Sequence, residues 1–306
     1  MAEELWRHTD PASTAMWRFI QSVNAKHNLN ISDYKGLYRW SIDNVALFWE
    51  ECWNFVGIKG EVDGKLKAFP EDAPMFPRPD FFSNSRLNFA ENLLFPPLET
   101  PLDPASPATI TLTELPGSLR ETSWSELREA VRRCANALRQ SPVDLKAGDI
   151  VAGYVSNHVE ALVAMLAAAS VGAVWTGISP DNGVSAVLDR LGQIGPKVLF
   201  ADNGTVYNGK EWSSTSKTLE IVKELQQNAK TLKSVVVINN INTDLGLEDL
   251  SALGVVSIDY DSFLASSPAD KPLTFEQLPP LSPFTSSTRA AQRVYPRLSF
   301  TQRWGP

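Results

Sequence analysis

The chain has 306 residues, 43% hydrophobic and 21% charged, which suits a globular protein with one or two hydrophobic cores. A net charge of −7 argues against a general nucleic-acid or membrane-surface binder, because phosphate contacts need clustered Lys and Arg. Two cysteines, Cys52 and Cys134, are too few for a disulfide scaffold or a Cys-rich metal site.

In chain order, residues 1–60 read as helical and rich in aromatics, with Trp6, Trp17, Trp40, Trp49 and Trp53 close together. Met1 to Asp10 is polar and lacks the apolar stretch of a secretory signal. Ser41 is a candidate cap for a helix through Val45, Phe48, Trp49, Cys52, Trp53 and Val56, with Gly57 as its stop. This segment reads as a helical cap. Residues 60–107 carry Pro70, Pro74, Pro77, Pro79, Pro96, Pro97, Pro101, Pro104 and Pro107 and read as an irregular arm with one helical island, Leu87 to Leu94.

From 108 the pattern alternates strand and helix. Strands are predicted at Ala108–Thr113, Ile150–Val155, Gly172–Ile178, Lys197–Ala201 and Ser234–Ile238. Helices are predicted from Ser123 or Ser125 to Leu138, and at Val159–Ser170, Ser185–Ile194 and Thr218–Asn228. That order implies parallel strands with right-handed crossovers. Val198-Leu199-Phe200 and Val235-Val236-Val237-Ile238 have the unbroken apolar character of strands buried on both faces. Ala161 to Ile178 reads as a buried helix running into a strand, so no membrane span is expected. The cysteines read as small core residues of a reduced, cytoplasmic protein. Leu281 to Pro306 differs: it holds Arg289, Arg293, Arg297 and Arg303, no Asp or Glu, and no apolar period, and is expected to be disordered.

Several blocks resemble acetoacetyl-CoA synthetases, within the adenylate-forming superfamily of acyl-CoA ligases. They include Tyr38-Arg39-Trp40-Ser41, Ser85-Arg86-Leu87-Asn88-Phe89-Ala90-Glu91-Asn92-Leu93-Leu94 and Gly148-Asp149-Ile150-Val151-Ala152-Gly153-Tyr154. Others are Asn157 to Trp175, Ser179-Pro180-Asp181, Val187-Leu188-Asp189-Arg190 and Gln193 to Asp202. The resemblance covers roughly residues 30–280. It implies an α/β fold, the partial N-terminal domain of an adenylate-forming ligase with a mostly parallel sheet. Residues 1–107 would form the helical cap and Pro-rich arm, 108–280 a partial AMP-binding domain, and 281–306 an aberrant tail.

The resemblance also implies chemistry: a carboxylate attacks the α-phosphate of ATP, with Mg²⁺ neutralising charge, and the thiol of coenzyme A displaces AMP from the acyl-adenylate. The expected substrates are a small carboxylic acid and coenzyme A, acetoacetate ahead of other short acids. The family's phosphate loop, Ser-Ser-Gly-Thr-Thr-Gly-x-Pro-Lys, belongs just after Pro280, and the sequence lacks it. Read one base out of register, however, codons for Phe284 to Thr301 can encode Tyr-Ile-Leu-Tyr-Ser-Ser-Gly-Thr-Thr-Gly-Leu-Pro-Lys-Ala-Ile-Val-His. The tail is therefore read as a frameshifted gene segment. On that reading this chain would be inactive alone, and the sheet would expose an apolar edge open to self-association.

Tyr207-Asn208-Gly209-Lys210 stands where related acetyl-CoA synthetases carry an Arg-Ala-Gly-Arg block that contacts coenzyme A. Only Gly209 matches; Tyr207 would stack on adenine and Lys210 meet a phosphate. The alternative is a solvated loop. Trp175, Thr176, Gly177 and Ser179 follow a strand at its carboxyl end and would line the acyl or pantetheine channel, or form an ordinary strand–helix turn. His158 reads as a surface or capping residue, and Asp189 with Arg190 as a structural ion pair. No catalytic or metal-ligating set is evident. A truncated interaction module is the competing reading; a dinucleotide-binding domain is disfavoured because no Gly-x-Gly-x-x-Gly follows a strand.

Overall fold

A computed structural model of the protein describes residues 5–70, 72–74, 76–97, 101–114, 117–228, 230–288 and 298–302. The chain divides into two compact units, Met1–Ser85 and Arg86–Pro306.

The first unit contains α1 (Ala15–His27), α2 (Tyr34–Asp43) and α3 (Val45–Val56). Thr14 caps α1 by accepting the Trp17 N–H, and Asp33 caps α2 by accepting the Gly36 N–H. Phe19, Ile20, Val23 and Leu37 form its core, with Trp40, Phe48 and Cys52 packed against them. Ser41 is not a cap: it lies inside α2, its hydroxyl donating to the Tyr38 carbonyl, and the chain breaks three residues later at Asn44. Gly57, with φ of 71°, ends α3 as its position predicts. The short strands β1 (Glu61–Val62) and β2 (Ser85–Arg86) flank the Pro-rich stretch.

In the second unit, α4 (Phe89–Leu94) is followed by an antiparallel hairpin of β3 (Pro107–Thr111) and β4 (Arg120–Ser123). The segment at 108–113 is thus a strand, but outside the parallel sheet. The Ser123 side chain and Glu126 form a reciprocal capping box that starts α5 (Trp124–Leu138). Then come β5 (Ile150–Tyr154), α6 (Val159–Val171), β6 (Val174–Ile178), α7 (Val184–Ile194) and β7 (Val198–Asp202). A second hairpin, β8 (Gly204–Tyr207) and β9 (Lys210–Ser213), precedes α8 (Thr215–Asn228). The unit continues with β10 (Ser234–Ile238), α9 (Leu247–Ala252), β11 (Val256–Asp259), α10 (Tyr260–Ala265), β12 (Pro283–Thr288) and β13 (Leu298–Gln302).

The main sheet has the order β11-β10-β7-β5-β6-β12-β13. From β11 to β12 the strands run parallel, and β13 is antiparallel at the edge. Alternate residues serve opposite cores. Val151, Val198, Phe200 and Val236 face one core with α5, α6 and Phe263 of α10. Ala152, Tyr154, Leu199 and Val237 face the other with α7, α8 and Leu250 of α9.

The tail departs from expectation. Residues 283–288 lie beside β6, and 298–302 pair with them, so β6 does not end the sheet. The stretch Phe284-Thr285-Ser286-Ser287-Thr288 contains β-branched and aromatic residues and no Arg, which suits a strand. Arg289, Arg293, Arg297 and Arg303 lie outside the described residues.

Asn88 ties this unit together. Fully buried, it caps α4 by accepting N–H bonds from Ala90 at 2.9 Å and Glu91 at 3.3 Å. Its amide donates to the carbonyls of Ala169 (2.9 Å), at the end of α6, and Glu276 (2.8 Å). The helical island at 87–94 therefore packs with the α/β unit. Asn88→Ala removes a cap and strands buried carbonyls, and should cost about 2–3 kcal/mol in chemical denaturation. A change of only about 0.5 kcal/mol, as for an ordinary surface substitution, would refute this role.

Candidate functional site

The chain passes from β5 to β6 on one side, then crosses back to β7 on the other side of β5. Such a reversal leaves a crevice outside the carboxyl ends of the strands, where open α/β sheets take ligands. A cavity of about 970 Å³ lies at these strand ends. Val155–Asn157 after β5, Gly177–Asp181 at the end of β6, and the first turn of α6 line it, together with Thr109–Leu112 of the first hairpin and Thr205–Tyr207 of the second.

Behind the wall is a charge cluster. The Asp202 side chain, at the end of β7, is fully enclosed and accepts the Ser156 N–H at 2.7 Å. His158 Nε2 lies 2.9 Å from the other Asp202 oxygen. His158 Nδ1 is 3.0 Å from Glu160 Oε2 and 3.2 Å from the Ala161 N–H, and Glu160 also meets Arg120 at 2.7 Å. Burial alone would lower the His158 pKa; hydrogen bonds to Asp202 and then Glu160 outweigh it and raise it to about 9. For Glu160, burial is outweighed by hydrogen bonds from His158 and Arg120, which bring it down to about 2. A protonated Nδ1 donates to Glu160 and cannot accept from Ala161; only the neutral ring can cap the helix. His158 occupies the N-cap position of α6, as its sequence position suggests, but the raised pKa favours the charged ring, which pairs with Asp202 and Glu160 rather than capping, and with its side chain only 9% exposed it is not a surface residue.

The residues predicted to carry function separate in space. Trp175, Gly177 and Ser179 line the cavity, and the Ser179 hydroxyl meets Asp181 at 3.1 Å. Thr176 is buried and, by strand alternation, points to the opposite face. Tyr207 lines the cavity and is 69% exposed. Asn208 and Gly209, at φ of 52° and 69°, form the turn between β8 and β9, and the Gly209 N–H donates to Glu114 at 3.0 Å. Lys210 opens β9, exposed and outside the cavity lining. The Asn-Gly pair between alternating residues was the available signal for this hairpin. Asp189 and Arg190 make no ion pair among the described residues, since helix neighbours do not face each other; the Arg190 Nε is buried without a partner. Among the described residues no group of His, Cys, Asp or Glu could hold a metal, and no helix is long and apolar enough to cross a membrane. Tyr154, fully buried at the end of β5, directs its hydroxyl to the carbonyls of Pro180 and Asn182, each at 2.9 Å, and so fixes the turn that carries Ser179 and Asp181. Sequence reading missed it because a strand tyrosine looks like core.

The family profile described as AMP-binding enzyme matches residues 103–278. The chain belongs to the AMP-binding enzyme family. A malonamoyl-CoA synthetase of Penicillium aethiopicum is 42% identical over 279 residues, covering 90% of this chain and 37% of the relative. An acetoacetyl-CoA synthetase of Danio rerio is 38% identical over 282 residues, 90% of this chain and 39% of the relative. The solved structure of acetoacetyl-CoA synthetase from Streptomyces lividans superposes with a TM-score of 0.80 at 27% identity, covering 95% of this chain and 42% of that one. The chain thus spans about two fifths of the length of these relatives. Within the AMP-binding match fall the sheet from β5 to β11, both hairpins and every residue that lines the cavity.

The charge cluster predicts a pH signature. Because the folded pKa of His158 is raised above 6.5, its contribution is complete below that value and is lost as pH rises through about 9. Glu160 acts oppositely: its contribution is present above 4.5 and is lost as pH falls through about 2. Thermal denaturation between pH 6 and 10 should show the wild type losing stability relative to His158→Asn, which retains a capping side chain. Parallel curves would contradict the cluster.

Proposed function

We propose that this chain is the N-terminal share of an ATP-dependent, AMP-forming ligase that joins a short β-carbonyl acid, acetoacetate first, to coenzyme A through an acyl-adenylate. The observation that carries this reading is a cavity at the strand-order reversal of an AMP-binding unit, in a chain 38% identical to an acetoacetyl-CoA synthetase. The malonamoyl-CoA synthetase fits the same class. Malonamate and acetoacetate both carry a carbonyl two carbons from the carboxylate and differ only in an amino group for a methyl, a near-isosteric change that a hydrophobic contact discriminates poorly.

Within this chain the work is that of coenzyme binding. Tyr207, on an exposed hairpin beside the cavity, offers a stacking face for the adenine. Lys210, one turn further out, offers charge to a phosphate. Trp175, Gly177 and Ser179 line the channel toward the acyl group. No metal-holding group occurs among the described residues and the sequence holds no glycine-rich phosphate loop, so the residues do not fit ATP and Mg²⁺, and no adenylation step is derived from them. Two free cysteines suit a reduced compartment, and we place the protein in the cytoplasm.

Titration calorimetry on the 306-residue chain should detect coenzyme A binding, and Lys210→Ala should weaken it about threefold, the scale of an exposed charge contact. Absence of binding at millimolar coenzyme would overturn the reading. The same polypeptide should show no acetoacetate-dependent ATP–pyrophosphate exchange above a blank; exchange would mean that this chain holds an adenylation site of its own.

A further inference from the structure

Among the described residues of the second unit, five large apolar side chains are more than half exposed, and all five stand on the two hairpins. Ile110, Leu112 and Leu119 belong to the first, Tyr207 and Trp212 to the second, at 57% to 71% exposed. Ile110 lies opposite Glu121, so strand alternation puts Ile110, Leu112, Leu119 and Glu121 on one face of the first hairpin. Tyr207 lies opposite Lys210, so Tyr207, Lys210 and Trp212 share one face of the second. The Trp212 indole N–H donates to the Tyr207 carbonyl at 3.3 Å and ties that face together. The hairpins also meet at their tips, where the Gly209 N–H donates to Glu114 at 3.0 Å.

The two faces complement each other. One is aliphatic with a carboxylate, and the other is aromatic with an ammonium. Glu121 and Lys210 are exposed, and neither joins an ion pair among the described residues. Clustered apolar side chains in water, rimmed by charge, mark an association surface. Both halves sit on one chain, so a two-fold axis between two copies brings each half onto its counterpart at once. An unrelated acidic or basic partner would satisfy only one half. The sheet edge at β6, which the sequence reading leaves open, is paired with β12.

We propose that the two hairpins form the interface of an isologous dimer of this chain. The Ile110, Leu112 and Leu119 face of one copy packs on the Tyr207 and Trp212 face of the other. Glu121 pairs with Lys210 across the axis, and the contact occurs twice. A second copy then takes up the ring and the lysine that the coenzyme reading uses, so dimer and coenzyme complex are alternatives.

Sedimentation velocity of the 306-residue chain without coenzyme tests this, from about 1 to about 200 μM, the range of a weak interface. The wild type should pass from monomer to dimer across that range. Glu121→Lys and Lys210→Glu each set like charges face to face at two places, and each should weaken the dimer about tenfold or more. Mixed in equal amounts, the two variants should form a heterodimer as tight as the wild-type dimer, because both contacts then join opposite charges. Leu119→Ser, at an exposed position outside the cavity lining, should weaken the dimer about tenfold through lost apolar burial alone. A wild type that stays monomeric overturns the dimer. So does either charge variant, or Leu119→Ser, dimerising as the wild type does. A mixture of the two charge variants that fails to associate overturns it as well.

Discussion

The central parallel strands have no face to give to water. Every residue of β7 and β10 is buried, and so is β5 beyond its first residue. Apolar side chains on both faces must then be covered, and helices on both sides are the only local means of doing so. That requirement sets the crossovers, and the crossovers set the strand order. A reversal of winding direction beside β5 follows from covering both faces, and the crevice follows from the reversal. Three polar groups buried by this arrangement are matched individually: Asn88 to the end of α6, Asp202 to the Ser156 N–H, Tyr154 to the turn after β6.

The same constraint divides chemistry from support. Charged groups next to the cavity, His158, Glu160, Asp202 and Arg120, neutralise one another and hold β4, α6 and β7 in register with the end of β5. What remains facing the cavity is largely neutral, with an acid at Asp181 and no Lys or Arg. The hairpin turn at Asn208-Gly209, joined to Glu114, places an aromatic ring at the cavity and a lysine beyond it.

Much of the fold was legible in the sequence because buried parallel strands announce themselves. Val235 to Ile238 and Val198 to Phe200 can belong to little else, and Ser123 with Glu126 marks a helix start without ambiguity. Shorter elements were not legible: α9 and α10 have six residues each, below the length at which a helical period can be counted. Tyr207-Asn208-Gly209-Lys210 reads in the sequence as a coenzyme-binding block or a solvated loop, whereas Asn208-Gly209 forms the turn of a hairpin at positive φ. In the site, Trp175 and Tyr207 could be named from position alone. The Tyr154 anchor could not, since it depends on which residues the sheet register brings side by side.

The central claim is that the crevice beside β5, at the carboxyl ends of the strands, receives coenzyme A. Amide hydrogen exchange of the 306-residue chain with and without saturating coenzyme A tests it most directly. The account predicts added protection at 158–162, 177–182 and 205–210, with little change across α9 and α10. Protection confined to α9, α10 or the first unit, with those three segments unaltered, would contradict it.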